Sequence, residues 1–246
     1  MVLEVPGFQI LGSVDHSCQE AGWMQQITAV LFSGGLDSAV LLARAAKDGP
    51  VQPLYVSVGL AWEADERLVV SRFLSSLGAT ANVQPLASLR FDMTDVYPPS
   101  HWAIRGQAPA FDTPDEDVYL EGRNIMLLSK AAVFMARAKI TRVFIGPLAG
   151  NPFPDATDRF FQAFAQALSI GLASPIEIEA PFASLHKADV IRLGRELHVP
   201  LDLTLSCMQP DAGRHCGRCS KCRERRDAFI ESGGEDPTTY AVRPER

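Results

Sequence analysis

The sequence lacks any apolar run of eighteen residues, and its first 26 residues contain no lysine or arginine. A transmembrane helix needs about 20 consecutive apolar residues, and a secretory signal needs a basic start followed by an apolar run. Residues 1–26 instead carry acidic side chains and Pro6-Gly7. We therefore expect no membrane association and a cytoplasmic location.

An excess of positive charge is also missing, because 29 acidic residues outnumber 23 lysines and arginines and give a net charge of −6. Binding to a phosphate backbone depends on a basic surface, so nucleic acid is not the expected partner. Apolar residues make up 47% of the 246 residues and charged ones 21%, which is typical of globular proteins. The length suits one α/β domain, alone or with a small appendage.

Cysteine is scarce, and four of the five lie within sixteen residues near the carboxyl end. They are Cys207, Cys216, Cys219 and Cys222. In a reducing cytoplasm such a cluster indicates a metal site rather than disulfides. The short C-x-x-C spacings predict one tetrahedral Zn²⁺ in a closed, structural site, and an iron–sulfur cluster is the alternative. We interpret His215 as a solvated side chain, and Cys18 as an apolar filler or an exposed thiol.

Strand-like and helix-like segments alternate along the chain. Apolar runs predict strands at 27–32, 51–58 and 142–146, and helical spacing predicts helices at 36–47, 64–77, 124–138, 156–170 and 187–197. This alternation is typical of βαβ units, so we expect an α/β fold: a doubly wound, mostly parallel, Rossmann-like sheet.

The predicted domain division follows from these patterns. Residues 1–26 form an extension, 27–205 the α/β domain, 206–232 the small zinc-binding segment and 233–246 a polar tail. Residues 90–120 are rich in proline and acidic residues. We expect them to form a long loop over the carboxyl ends of the strands, where such sheets bind ligands, and a substrate lid is the hypothesis for their role.

The hexapeptide Ser33-Gly34-Gly35-Leu36-Asp37-Ser38 lies where the first predicted strand ends and a helix begins. Two glycines let several backbone N–H groups point together, and the start of the helix adds its positive dipole end. The segment therefore predicts a phosphate site, although it matches neither the Walker A loop nor the dinucleotide fingerprint. The alternative is an ordinary helix cap made by Ser33 or Asp37.

This hexapeptide resembles the SGGxDS signature of the pyrophosphate-loop ATPases, the N-type ATP pyrophosphatases with an adenine nucleotide alpha hydrolase-like fold. The resemblance implies that ATP is cleaved between its α- and β-phosphates with Mg²⁺ present, and that AMP passes to a substrate oxygen. It implies catalytic roles for Ser33, Asp37 and Ser38. The implied ATP-binding residues of this part of the chain are Phe32, Ser33, Gly34, Gly35, Leu36, Asp37, Ser38, Ala39, Val40, Leu41 and Leu42.

Together with the cysteine segment, the loop resembles the 7-cyano-7-deazaguanine synthase family, also called QueC or ExsB. The family's C-G-x-C-x-x-C-x-x-R pattern is matched up to Arg225, and residues 120–124 and 186–191 resemble its V-P-x-R-N and K-x-E-I segments. The resemblance spans residues 27–232. It implies that Arg123 and Asn124 bind ATP or substrate and that Lys187 is catalytic. Helix capping and a solvated lysine are the ordinary alternatives.

The reaction implied by this resemblance converts a deazapurine carboxylate to a nitrile. ATP adenylates the acid, ammonia displaces AMP to give the amide, and a second ATP activates the amide oxygen. The implied ligands are ATP, Mg²⁺, Zn²⁺, the small-molecule deazapurine and ammonia. A homodimer and a protein acceptor remain open alternatives.

Two segments depart from the family pattern. Residues 57–62 stand where the family has D-Y-G-Q-R-H and keep only Gly59, and residues 149–157 keep Pro154-Asp155 of D-x-S-G-Y-P-D-C-R. The lost polar groups suit substrate recognition, so the substrate side is expected to differ. Three alternatives stay open: a divergent enzyme that modifies a related deazapurine or joins it to a protein or nucleic acid, a non-catalytic nucleotide- and zinc-binding module, and a tRNA-thiolating relative.

Overall fold

A five-stranded, entirely parallel sheet forms the centre of the protein. The computed structural model describes residues 26–78 and 82–244. The strands lie in the order β3-β2-β1-β4-β5. Their bounds are β1 Thr28–Leu31, β2 Val51–Ser57, β3 Ala87–Arg90, β4 Arg142–Phe144 and β5 Glu177–Glu179. Every residue of β1 is buried, as expected for a central strand covered on both faces.

Seven α-helices are assigned within the described residues. They are α1 Leu36–Asp48, α2 Glu63–Ser76, α3 Trp102–Arg105, α4 Arg123–Ala138, α5 Asp158–Leu172, α6 Lys187–Glu196 and α7 Ser220–Glu231. None of the helices in this part of the chain is long and apolar enough to cross a bilayer.

The helices cover both faces of the sheet. Along β1, Val30 joins a core that contains α1, α2, α6 and α7 side chains, while Ala29 and Leu31 join a second core that contains α4 and α5 side chains. This alternation follows from the two-residue period of a strand. The predicted doubly wound, parallel α/β fold is confirmed.

The strand order places a topological switch point at β1. This strand pairs with β2 on one side and β4 on the other, all in parallel. In such sheets ligands bind at the carboxyl ends of the strands where the order reverses. The segment that leaves β1 at this point is the phosphate loop.

The secondary structure differs from the prediction at several elements. The strands β3 and β5 and the helices α3 and α7 were not predicted. Helix α5 begins at Asp158, two residues later than predicted, because Thr157 accepts a hydrogen bond from the N–H of Phe160 and so caps the helix.

Residues 90–120 are not a plain loop. They contain α3 and a short 3-10 turn at Asp115–Val118, and Met93, Tyr97 and Ala103 are buried in the core. The indoles of Trp62 and Trp102 stack at 5.7 Å between ring centroids. The segment is therefore packed onto the domain through apolar and aromatic contacts.

The predicted extension at 1–26, with Cys18, lies outside the described residues except for Gln26. The predicted boundaries at 205, 206 and 232 stay predictions. The structure shows that the cysteine segment is joined to the α/β domain by α7, whose Ala228 and Phe229 are buried in the core with α1 and α6.

Candidate active site

The phosphate loop connects β1 to α1 with an open helix start. Gly34 adopts a left-handed backbone with φ +78°, and a Cβ there would lie 3.0 Å from Val70. Gly35 is the N-cap residue, and no side chain of the described residues caps the helix. The Ser33 hydroxyl accepts from the N–H of Gly35 at 3.3 Å, and the Ser38 hydroxyl donates to its carbonyl at 3.0 Å.

Within the described residues Ser33 therefore satisfies only the N–H of the N-cap residue, and Asp37 makes no capping hydrogen bond to this helix. The first backbone N–H groups of α1 and its positive dipole end are left available to an anion.

Asp37 and Lys187 face each other beside this loop. Lys187 Nζ lies 3.3 Å from Asp37 Oδ2, and the lysine is only 14% exposed. The interpretation of Lys187 as a solvated residue is therefore wrong. Burial lowers the pKa of Lys187, but the carboxylates of Asp37 and Glu224 outweigh it and hold the pKa above its ordinary value. Lys187 is thus a fixed ammonium group at the phosphate loop.

Glu224 joins this pair from helix α7. Its Oε1 contacts Lys187 Nζ, and its Oε2 lies 2.7 Å from Lys221 Nζ. Burial raises the pKa of Glu224, but the two lysines outweigh it and lower the pKa to about 2. Sequence reasoning missed Glu224, whose partner on α6 is 37 positions away.

Arg123 and Asn124 begin helix α4. The N–H of Asn124 donates to Asp155 Oδ2 at 3.1 Å, and its side-chain amide donates to the Asp155 carbonyl at 3.1 Å. Asp155, from the retained Pro154-Asp155 pair, therefore caps α4, while Asn124 anchors the turn that carries Asp155. The buried Arg123 Nε has no hydrogen-bond partner among the described residues.

Two adjoining cavities open at the phosphate loop. The first, of about 290 Å³, lies at the carboxyl ends of β1, β2 and β4. The second, of about 350 Å³, lies between the loop, the 146–153 segment, the 90–120 segment and the cysteine segment. Both are lined by Ser33, Gly35, Asp37, Glu66, Arg123 and Gly146.

The sequence-predicted residues divide between these cavities and the core. Phe32 and Asn124 line the first cavity, and Leu36 and Lys187 line the second. Ala39, Val40, Leu41 and Leu42 are buried in the core that α1 shares with α6 and line neither cavity. These four residues pack α1 against the core, and their role in ATP binding stays a prediction.

Two glutamates of α2 shape the turn after β2, where the family pattern is lost. Glu63 Oε1 accepts the N–H groups of Val58, Gly59 and Leu60 at 2.7, 2.9 and 3.1 Å. Sequence reasoning missed both glutamates. An acidic pair in the first turn of a helix after a strand is the signal that could have found them, because carboxylates favour the helix start.

The second of these, Glu66, faces both cavities. It accepts hydrogen bonds from the Tyr55 hydroxyl at 2.9 Å and the Trp62 indole N–H at 3.0 Å. Burial raises the pKa of Glu66 to about 7. The carboxyl therefore changes its charge near neutral pH.

The four clustered cysteines bring their sulfur atoms to one point. All four sulfurs lie within 4.8 Å of one another. The Cys219–Cys222 sulfur distance is 3.5 Å, and the Cys216–Cys222 and Cys207–Cys219 distances are 3.9 Å. Zn–S bonds of about 2.3 Å in a tetrahedron place sulfurs about 3.8 Å apart, so the donor set fits a single Zn²⁺ ion.

Backbone N–H groups surround these sulfurs. The N–H groups of Gln209 and Cys216 each donate to the Cys207 sulfur at 3.3 Å, and the N–H of Gly217 donates to the Cys222 sulfur at 3.4 Å. Such donors stabilise thiolates, which are the metal-binding form of cysteine.

His215 is not the solvated side chain that we predicted. It is buried, and its Nε2 accepts the N–H of Ser206 at 3.0 Å. Burial, together with the positive charge of Arg225, lowers the pKa of His215 to about 3. The neutral imidazole therefore acts as a hydrogen-bond acceptor that links the two halves of the cysteine segment.

Arg225, at the end of the family's cysteine pattern, is fully buried. Its guanidinium donates to the Leu201 carbonyl at 2.7 Å and to the hydroxyls of Thr204, Ser206 and Thr238 at 2.9, 3.1 and 2.6 Å. One side chain therefore ties α7 to both the segment before the cysteines and the tail.

The tail packs back onto the cysteine segment. His215 N–H donates to the Thr239 carbonyl at 3.0 Å, and Ala241 N–H donates to the His215 carbonyl at 2.7 Å. A Cβ on Gly217 would lie 1.6 Å from the Val242 carbonyl oxygen, so only glycine fits under the tail.

The family model described as "Queuosine biosynthesis protein QueC" matches residues 27–233. The chain belongs to the QueC family. A protein of Anaeromyxobacter dehalogenans named 7-cyano-7-deazaguanine synthase is 33% identical over 86% of this chain and 94% of its own length. A protein of the same name from Azoarcus sp. is 35% identical over 87% of this chain and 96% of its own length.

A solved structure also resembles the chain in outline. It is described as a predicted subunit of tRNA methyltransferase from Methanocaldococcus jannaschii, with 14% identity, a TM-score of 0.45 and coverage of 90% of this chain and 98% of its own. A likeness this distant carries no information about chemistry.

Proposed function

We propose that this member of the QueC family is a cytoplasmic, ATP-dependent synthase that converts 7-carboxy-7-deazaguanine to 7-cyano-7-deazaguanine with ammonia. The names of the relatives support this reaction, and their similarity extends over nearly their whole length. The observation that carries the proposal is the uncapped helix start between two adjoining cavities that share Asp37 and Arg123. A homodimer stays a prediction.

The first cavity is the proposed nucleoside site. It lies at the carboxyl ends of three strands and is continuous with the phosphate loop through Ser33, Gly35 and Ser38. The helix start would hold the departing pyrophosphate. The buried Asp37 Oδ1 lacks a hydrogen-bond partner in the described part of the chain, and carboxylate oxygens suit Mg²⁺. Asp37 would hold that ion, which neutralises phosphate charge when bound.

The second cavity is the proposed site of the deazapurine acid. The planar indole of Trp102 lines this cavity, and Arg123 and Lys187 supply positive charge that suits a carboxylate. A guanidinium with a buried, unpartnered Nε is suited to a planar anion. The residues that line both cavities support a position of the acid beside the α-phosphorus of ATP, where binding would bring the reacting groups together.

The proposed chemistry proceeds in two activations. A carboxylate oxygen attacks the α-phosphorus and pyrophosphate leaves; ammonia then attacks the acyl carbon, and AMP leaves to give the amide. The amide oxygen attacks the α-phosphorus of a second ATP and displaces its pyrophosphate; loss of AMP, which keeps the amide oxygen, and of the two amide protons then leaves the nitrile. The ammonium of Lys187 would stabilise the negative charge that develops on the phosphate oxygens.

We propose Zn²⁺ as the resident metal of the cysteine site. The sulfur spacing supports a single ion, because an iron–sulfur cluster places several atoms between its cysteine ligands and would spread the sulfurs further. Four protein ligands close the site, which suits a structural role.

The altered turn after β2 favours a second candidate, a divergent synthase that adenylates a related deazapurine or joins it to a macromolecular acceptor. Glu63 binds the backbone of this turn, and Trp62 hydrogen-bonds to Glu66, where the family pattern has other polar groups. The substrate-side surface therefore differs from the pattern, while the phosphate loop retains it.

Mass spectrometry of reactions with ATP, Mg²⁺, ammonium and 7-carboxy-7-deazaguanine tests the proposal. The wild type is expected to form the nitrile with two AMP per product. Asp37→Asn is expected to lose activity by at least tenfold, while Asp48→Asn, at the exposed end of the same helix, keeps it. If AMP forms only with another acceptor present, the divergent synthase is correct. If the protein neither binds nor cleaves ATP, both candidates are wrong.

A further inference from the structure

The cysteine segment contributes directly to the charge arrangement at the phosphate loop. Helix α7 has Cys219 as its N-cap residue and Cys222 in its first turn, and it carries Glu224 two residues later. Any metal that fixes these two sulfurs therefore also fixes the start of the helix that holds Glu224. The carboxylate faces the second cavity together with Lys187 and Lys221.

Glu224 competes with Asp37 for the Lys187 ammonium. Lys187 contacts Glu224 more closely than it contacts Asp37, from which it lies 3.3 Å. Lys187 faces Asp37 through Oδ2, and the buried Oδ1 has no hydrogen-bond partner within the described residues. A lysine that closed fully on Asp37 would occupy the carboxylate proposed to hold Mg²⁺.

We infer that Glu224 is a positioning residue: it holds Lys187 back from Asp37 and keeps the phosphate loop open to ATP with Mg²⁺. This inference rests on the proposed function. Without the negative charge at 224, Asp37 is the carboxylate of the described residues that still pairs with Lys187, and Glu224 no longer offsets its attraction for the ammonium. Partly buried charge pairs of this kind are screened less by solvent and salt than exposed pairs are.

The test is a double-mutant cycle on nucleotide affinity. The probe is α,β-methylene-ATP with MgCl₂, titrated by calorimetry into the full-length, zinc-loaded protein. Glu224→Gln is expected to weaken binding about tenfold, while Glu231→Gln, an exposed position of the same helix, is not. In a Lys187→Met background the Glu224→Gln change is expected to alter affinity by less than about twofold, because the residue acts through Lys187.

Zinc content and far-UV circular dichroism separate this role from a structural one. Both are expected to be unchanged in Glu224→Gln. Equal loss of affinity with and without Lys187, or loss of zinc, would overturn the inference, and so would wild-type affinity in Glu224→Gln. In each of those cases nucleotide binding by the wild type leaves the proposed function standing. A wild type that does not bind the nucleotide overturns the proposed function and the inference together.

Discussion

Replacing Arg225 with methionine tests whether one buried guanidinium holds the carboxyl-terminal part of the protein together. Methionine fills a similar volume but leaves four acceptors without their donor: the Leu201 carbonyl and the hydroxyls of Thr204, Ser206 and Thr238. Each hydrogen bond to a charged group contributes about 1.5 to 3 kcal/mol. Relief of the cost of burying the guanidinium offsets part of that sum.

The net loss in the free energy of unfolding is therefore about 4 kcal/mol, in the range found when one partner of a buried charged network is removed. Urea denaturation of the zinc-loaded protein measures it, with Arg159→Met, an exposed position on α5, as the control that stays within about 0.5 kcal/mol. A loss below about 1 kcal/mol for Arg225→Met would show that water replaces the guanidinium and that the hydrogen bonds are not what stabilises this region.

Three further predictions concern stability, the phosphate loop and the metal. From pH 5 to pH 8 the unfolding free energy of the wild type should fall by about 2 to 3 kcal/mol relative to that of Glu66→Gln. The reason is that the folded-state pKa of Glu66, about 7, lies above its ordinary value of 4.5, so the unfolded state loses its proton first as the pH rises. Urea denaturation at each pH measures the difference, and an unfolding free energy that does not change with pH relative to Glu66→Gln would contradict this. Gly233→Ala, with φ +74° and open space, should cost only the backbone strain of about 1 to 2 kcal/mol. Gly34→Ala should cost more than this, because its Cβ would also lie 3.0 Å from Val70, and it should abolish nucleotide binding. Calorimetry checks both. Cys219→Ser should lower the zinc content measured by mass spectrometry well below one per chain, and Cys18→Ser should not; equal contents would refute the site.

Elements whose conformation depends on neighbouring residues in the chain could be predicted from the sequence. The apolar run of β1 and the helical spacing of α1 lie next to each other in the chain, so the strand, the glycine turn and the helix could be predicted together. The cysteine cluster was predictable for the same reason, because three of its sulfurs come from seven consecutive residues, 216–222.

Short edge strands were not predictable. β3 reads Ala-Ser-Leu-Arg and β5 reads Glu-Ile-Glu, and neither contains the apolar run that marks a buried central strand. Their pairing with β2 and β4 decides their conformation, which is a tertiary effect. The buried parts of residues 90–120 were missed in the same way, since Met93 and Tyr97 lie among prolines and acidic residues and belong to no long apolar run.

The charged residues of the site show the same limit. The phosphate-loop serines and Asp37 were found because they form one motif, while Glu66 and Glu224 have no motif of their own. Glu224 meets Lys187 only after α6 and α7 pack side by side. Their roles follow from distances that a single sequence does not contain.

The tail that packs over Gly217 and His215 has a consequence for metal exchange. Its backbone hydrogen-bonds to both the N–H and the carbonyl of His215, next to the ligand Cys216. A protein truncated after residue 237 would keep all four cysteines without this cover. We expect it to exchange metal with a chelator faster than the full chain.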